Sequence, residues 1–249
     1  MTAVHTVDDA VDALTWIVDD AHARHDRRGL FAALYRRTTL RVRDALHAGA
    51  FAAPDWVETL DVAFAQRYLE AYVAHRCGRP TTAAWAHAFA RAAEPGHLVL
   101  QHLLLEMAAH ILLDLGVATH GVAPQDLATR RADFQRIDQV LAAMLDDVQD
   151  DLNRVVPGMA WLDRAGGRWD EALARAALVR WRGTAWRRAL ALDRTPEALR
   201  PERVARIDHA TARTARRLCP PPGRFVLPGS DRWVRDDPDG VPAVIDALR

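Results

Sequence analysis

Residues 98–116 read LVLQHLLLEMAAHILLDLG, and four polar side chains in that stretch, His102, Glu106, His110 and Asp114, stand four residues apart. On an α-helix each such step advances about 40° around the axis, so the four form one stripe about 120° wide. Nearly all the remaining circumference is Leu, Ile, Val, Met or Ala. A helix apolar over most of its surface belongs in a protein interior or a bilayer. Two imidazoles and two carboxylates along its length argue against a bilayer span. The stretch therefore predicts a buried central helix that other helices must surround.

The rest of the chain supplies those helices. Apolar side chains recur at helical spacing, and strand-type alternation is scarce. Thr6 or Asp8 predicts the start of a first helix running to about His25, before a break at Asp26-Arg27-Arg28-Gly29. A second helix is expected from Leu30 to about His47. A third runs from Trp56 to about Arg76, behind the Ala53-Pro54-Asp55 turn. A short fourth helix is capped by Thr81 or Thr82 and ends near Ala93. Glu94-Pro95-Gly96 leads into the central helix, which Gly116 is expected to loosen before a loop at Gly121 to Pro124. Residues 125–153 predict one long helix, followed by helices from Trp169 to Leu192 and from Pro201 to Leu218. Val156-Pro157-Gly158 and Ala165-Gly166-Gly167 bracket an irregular stretch between them. Cys219-Pro220-Pro221-Pro222-Gly223 stops regular helix. Residues 1–218 thus read as one all-α domain, a multi-helix bundle. Residues 219–249 read as an irregular C-terminal extension that packs on it or wanders.

Charge narrows the partners. With 33 basic and 33 acidic residues the formal net charge is zero, so no global field favours nucleic acid or an anionic membrane. Every residue in the Lys plus Arg total is arginine, and alanine is abundant. That bias fits a GC-rich genome, such as an actinobacterial one, better than an arginine-specific function. Cys77 and Cys219 form no zinc-knuckle spacing and predict no disulfide scaffold. The opening MTAVHTVDDAVDAL is acidic, without the basic and apolar regions of a signal peptide, so a cytoplasmic location is expected.

Burial gives the stripe its chemical meaning. A solvated stripe in this chain should contain arginine, and this one has none. Buried and unpaired, such groups cost several kcal/mol each, so they require one another, an arginine or a metal. Neutral imidazole with carboxylate suits zinc, iron or manganese. The expected metal ligands are His102, His110 and Asp114, with Glu106 or Asp133 as a further ligand or general base. Asp133 lies beside Phe134 on the following helix, placed to face the stripe if that helix folds back. Arg27 and Tyr35 complete the catalytic candidates, in a polar group with Asp26 and Arg28 where an arginine–carboxylate lock between helices is the plainer role.

The run His110-Ile-Leu-Leu-Asp114-Leu-Gly-Val-Ala-Thr-His120 resembles a ligand run of the zinc phospholipase C and S1/P1 nuclease families, which are also all-helical. Asp61 upstream of His75 resembles another part of that pattern. The N-terminal Trp ligand and the downstream His-x3-Glu or His-x3-Asp are missing. The resemblance therefore implies only that His110 and Asp114 share a metal, not a trinuclear site. Asp146-Asp147-Val148-Gln149-Asp150-Asp151 is similar to the DDxxD pattern of isoprenoid synthases, whose carboxylates hold Mg²⁺ against a diphosphate. The second metal motif of those enzymes is not evident. Trp181, Trp186, Arg187 and Arg188 read as core aromatics beside a solvated basic face rather than a nucleic-acid surface. There is no Gly-rich phosphate loop or GxSxG elbow.

Four segments in order, ARHDRRGLFAALYRRTT (23–39), LDVAFAQRYLEA (60–71), QHLLLEMAAHILLDLG (101–116) and ADFQRID (132–138), carry a wider resemblance. Together they resemble an uncharacterised, mainly actinobacterial family of helical proteins known only as a domain of unknown function. That resemblance implies an all-helical fold and no particular activity. His102, His110, Asp114, Asp61, Asp133, Arg27 and Tyr35 match its pattern. Glu106 and Ala109 depart from it, standing where a small residue and an Asn are usual. The reading as a whole is a metal-dependent enzyme acting on a small molecule in specialised metabolism, with hydrolysis, cyclisation and oxygen chemistry all open. The alternatives are a metal-free helical small-molecule-binding protein, or a Mg²⁺-dependent isoprenoid-diphosphate enzyme using Asp146, Asp147 and Asp150.

Overall fold

The computed structural model describes residues 3–94, 97, 99–122, 127–155, 169–218 and 240–249, with 145 and 169–175 described by backbone alone. It is 85% helical, with no strand among the described residues, so the all-α class holds. Helix α1, Val7–Ala23, starts where the Thr6 hydroxyl accepts the Asp9 N–H at 3.1 Å and the Asp9 carboxylate accepts the Thr6 N–H at 3.0 Å. This exchange satisfies two donors that no helical carbonyl can reach. The chain then passes through His25, in the left-handed region at φ 53°, and turns into α2, Arg28–His47. Helix α3, Pro54–Arg76, opens on proline, whose missing N–H costs nothing there. Helix α4, Ala83–Ala92, is capped by Thr82.

The central helix α5 spans Val99–Gly121. It is long and apolar enough to cross a membrane, yet 83% of its most apolar window is buried inside the protein, as befits a core helix. Helices α2, α3 and α4 pack on it, together with α8 (Trp169–Asp193) and α9 (Arg200–Leu218). Its middle, Ala108–Leu115, is π-helical, and all eight residues there are buried. Gly116 does not loosen the helix, which continues to Gly121. A Cβ at Gly116 would stand 3.0 Å from the Ala185 carbonyl oxygen and 3.1 Å from Arg188 Cβ, so the glycine admits the backbone of α8.

Two other expectations are corrected. Residues 127–155 do not form one helix: a 3-10 turn, Leu127–Arg130, leads into α6, Arg131–Ala142, and a break at Ala143-Met144 separates it from α7, Leu145–Val155. The C-terminal extension is not irregular throughout. Helix α10, Val241–Leu248, buries Val241, Val244, Ile245 and Leu248 and packs against α1, α2 and α7. The Pro95-Gly96 connector, residues 123–126, the 156–168 stretch and the proline run after Cys219 lie outside the described residues.

Two helix starts are closed by carboxylates from distant elements. Asp133 of α6 accepts the N–H groups of Ala52 (2.9 Å) and Ala53 (2.8 Å) ahead of α3. Asp208 of α9 accepts those of Ala83 (2.7 Å) and Ala84 (2.8 Å) at the start of α4.

Gly29 is where α1, α2 and α10 meet. A Cβ there would lie 2.6 Å from Ala21 Cβ and 2.8 Å from Ile245 Cδ1. Gly29→Ala gains about 1 kcal/mol of helix propensity but overpacks at a typical cost of about 1–3 kcal/mol. We expect a net loss of about 1 kcal/mol, seen as a lower urea midpoint. A midpoint at or above wild type would show that these helices part freely at this contact.

Candidate functional site

The π-segment decides which stripe residues meet. Each of its hydrogen bonds spans one residue more than in an α-helix, so side chains after Ala108 are rotated away from the register set by His102 and Glu106. The four stripe residues are all buried, as expected, but they fall into three surroundings.

His102 lies at the first. Its ring meets His97 edge-on at 5.8 Å, and His97 approaches the Glu94 carboxylate at 3.4 Å. Glu106 occupies the second. It is 1% exposed, and neither carboxyl oxygen finds a donor among the described residues. Burial foremost, and the Asp26 charge after it, hold its carboxyl well above the usual range, with Arg28 opposing. Arg28 is committed elsewhere: Nε donates to Asp26 Oδ1 and Nη1 bonds His75 Nε2, each at 2.7 Å. The arginine–carboxylate pair formed here is local to the α1–α2 turn rather than a lock between helices, Arg28 reaches α3 through His75, and Arg27 stands at the N-cap of α2.

The third holds His110 and Asp114, which the π-segment keeps together. Asp114 Oδ1 accepts from Arg67 Nε at 2.9 Å, and Oδ2 accepts from Trp85 Nε1 at 2.8 Å. His110 Nδ1 is 3.3 Å from the same Oδ2. An ionised carboxylate only accepts, so Nδ1 carries the imidazole hydrogen and Nε2 is left with its lone pair. Nε2 is buried and has no hydrogen-bond partner among the described residues. Burial lowers the His110 pKa although Asp114 opposes the shift, so the ring is neutral at pH 7. Phe64 stacks flat on it at 3.6 Å, and Tyr35 meets it edge-on at 4.5 Å. The Tyr35 and Tyr68 hydroxyls are also buried with no hydrogen-bond partner at bonding distance among the described residues, and burial keeps both phenols protonated, with Thr39 opposing at Tyr35.

Tyr35 and Phe64 present themselves a second time, in the wall of a cleft of about 40 Å³ between α2, α3 and α6. Thr39, Asp61, Ile137 and Arg182 also line it. Asp61 is 8% exposed, with Oδ2 unpartnered among the described residues. Burial pushes its carboxyl up to about 7, against the pull of Arg182 and with help from Glu58.

Other candidates lie apart. Asp133 is turned to the start of α3 rather than to the stripe. Asp146, Asp147 and Asp150 are exposed on α7, and Asp147 pairs with Arg41 at 3.6 Å. Trp186 is a core residue against Phe134, at 4.9 Å. Among the described residues no three His, Cys, Asp or Glu side chains gather as a metal site would require. Arg67 and Trp85 went unrecognised in the sequence, since they lie 47 and 29 positions from Asp114 with no pattern linking them.

A protein-family model matches residues 7–221. The chain belongs to a family of unknown function, DUF5995. The DUF5995 match runs from the first residue of α1 to just beyond α9, so it takes in Asp61, Arg67, Trp85, His110 and Asp114 and leaves out α10. Comparison with curated proteins and with solved structures gave no match.

Glu106 sets a pH dependence. The folded state holds its proton to a higher pH than the unfolded chain, whose carboxyl titrates near 4.5. That stabilisation is complete below 4.5 and is lost as pH rises toward the folded value. Glu106→Gln cannot ionise, so its urea midpoint should gain on wild type between pH 4.5 and pH 8. Equal differences at the two ends would mean that Glu106 ionises as freely inside the protein as outside.

Proposed function

We propose that this protein binds a small molecule at His110 and exchanges a proton with it, with Asp114 orienting the imidazole and no metal on His102, His110 and Asp114. One observation carries the reading: a buried imidazole whose Nδ1 faces the Asp114 carboxylate and whose Nε2 has no hydrogen-bond partner among the described residues. An acceptor left bare in a core costs about 1–3 kcal/mol, and an O–H or N–H of a ligand would remove that cost. Taking the proton would make an imidazolium beside the Asp114 carboxylate, which also accepts hydrogen bonds from Arg67 and Trp85. Tyr35 and Tyr68, kept protonated, offer hydrogens to an oxygen of the same ligand.

The donor set supports this over the metal-dependent alternative. Both Asp114 oxygens already accept hydrogen bonds, and the Arg67 guanidinium beside them repels a dication. His102 is turned to His97 instead. The isoprenoid-diphosphate alternative needs Asp146, Asp147 and Asp150 around a cavity, and they stand in solvent.

Imidazole nitrogen NMR tests the reading directly. His110 should show the Nδ1–H tautomer and remain neutral as pH falls through 6.5, and Asp114→Asn should abolish that preference. An Nε2–H tautomer, or an imidazolium at pH 7, would sink it. So would one equivalent of metal in untagged protein that His110→Ala releases.

A further inference from the structure

We propose that the cleft between α2, α3 and α6 takes the ammonium group of a small primary amine, with Asp61 as its counter-ion. The inference rests on the reading of His110 as a small-molecule site, because Tyr35 and Phe64 wall the cleft and also pack on the imidazole.

Charge selects a cation. Arg182 lines the cleft, but its Nε donates to Asp138 and its Nη2 to the Phe134 carbonyl at 3.2 Å. Its guanidinium lies 4.7 Å from the Phe134 ring centroid. Arg182 pairs with Asp138 and also pulls on Asp61, so one guanidinium faces two carboxylates and the balance is negative. Glu58 adds to the negative field there. A carboxylate or phosphate would be repelled from this place, and a cation drawn to it.

Hydrogen bonding selects a primary amine. Thr38 and Thr39 each donate their hydroxyl hydrogen to the Tyr35 carbonyl, at 2.7 and 3.0 Å. Their oxygens therefore keep acceptor lone pairs in the cleft wall, with Thr39 also turned to the Tyr35 phenol. With Asp61 Oδ2 that makes three acceptors on one small space, matching the three N–H bonds of an alkylammonium and exceeding the single O–H of an alcohol. The aromatic faces of Tyr35 and Phe64 favour a cation, and Val42, Leu60 and Leu141 suit the first carbons of its chain. About 40 Å³ favours a compact –NH₃⁺ head over a bulkier quaternary one. Near pH 7 Asp61 is partly protonated, so binding RNH₃⁺ releases a proton from the carboxyl and leaves a carboxylate–ammonium pair.

The test uses the full chain carrying ¹³C-carboxyl aspartate, titrated near pH 7 with n-propylammonium chloride at constant ionic strength. Propanol, propionate and tetramethylammonium serve as controls. We expect propylammonium, in the millimolar range, to move the Asp61 carboxyl resonance to its ionised position, and the controls to leave it in place. Asp61→Asn should weaken binding by about tenfold or more. The proposal is overturned if Asp61 does not respond, if propanol or tetramethylammonium acts equally, or if Asp61→Asn binds as wild type does. Should that variant fail to fold, the wild-type carboxyl signal decides alone. The His110 imidazole is read in the same titration. A response at Asp61 alone supports the amine site and counts against His110, and a response at His110 alone overturns the amine site.

Discussion

The carboxylate of Asp114 joins three helices at one point in the core. Arg67 comes from α3, Trp85 from α4 and His110 from the π-segment of α5. An ionised carboxylate at 1% exposure survives only when its lone pairs are met, and here three donors from separate elements meet them. His110 and Asp114, four residues apart, lie on one side of α5 within the π-segment. Arg188 holds the other side, donating to the Leu112 carbonyl and to Thr211 at 3.0 Å. The helix is thus clamped where its backbone departs from the α pattern.

The buried acids divide into two kinds. Asp114, Asp133 and Asp208 are saturated with donors and hold helices in place. Glu106 and Asp61 keep oxygens that nothing among the described residues satisfies, and burial raises both carboxyls. Pairing at both oxygens marks architecture. Bare acceptors mark places where a proton or a ligand is the missing partner. His110 Nε2, without a hydrogen-bond partner among the described residues, belongs with the second kind.

Local chemistry was readable from the residues. The capping box at Thr6, the Thr82 cap and the proline opening α3 stand where turn chemistry puts them. The four-residue interval correctly indicated a buried central helix. It failed as a map of neighbours, because the turn at Ala108 and Ala109 widens with no local mark and the helical wheel no longer applies beyond it. The break between α6 and α7 was hidden similarly, since Ala143 and Met144 are both good helix formers. Asp133 looked like a ligand because its true partners, Ala52 and Ala53, are backbone groups about 80 positions away. Long-range hydrogen bonds of that kind leave no trace in periodicity.

Those distant caps have a bearing on synthesis. The first-turn amides of α4 are met by a carboxylate 124 and 125 positions further along the chain, and those ahead of α3 by one 80 and 81 positions on. A ribosome delivers residue 83 long before residue 208. Until then these amides must be kept hydrated, so the two helices emerge with frayed beginnings. Their first turns lock only when α6 and α9 arrive, and the late-made half of the molecule completes what the early half began.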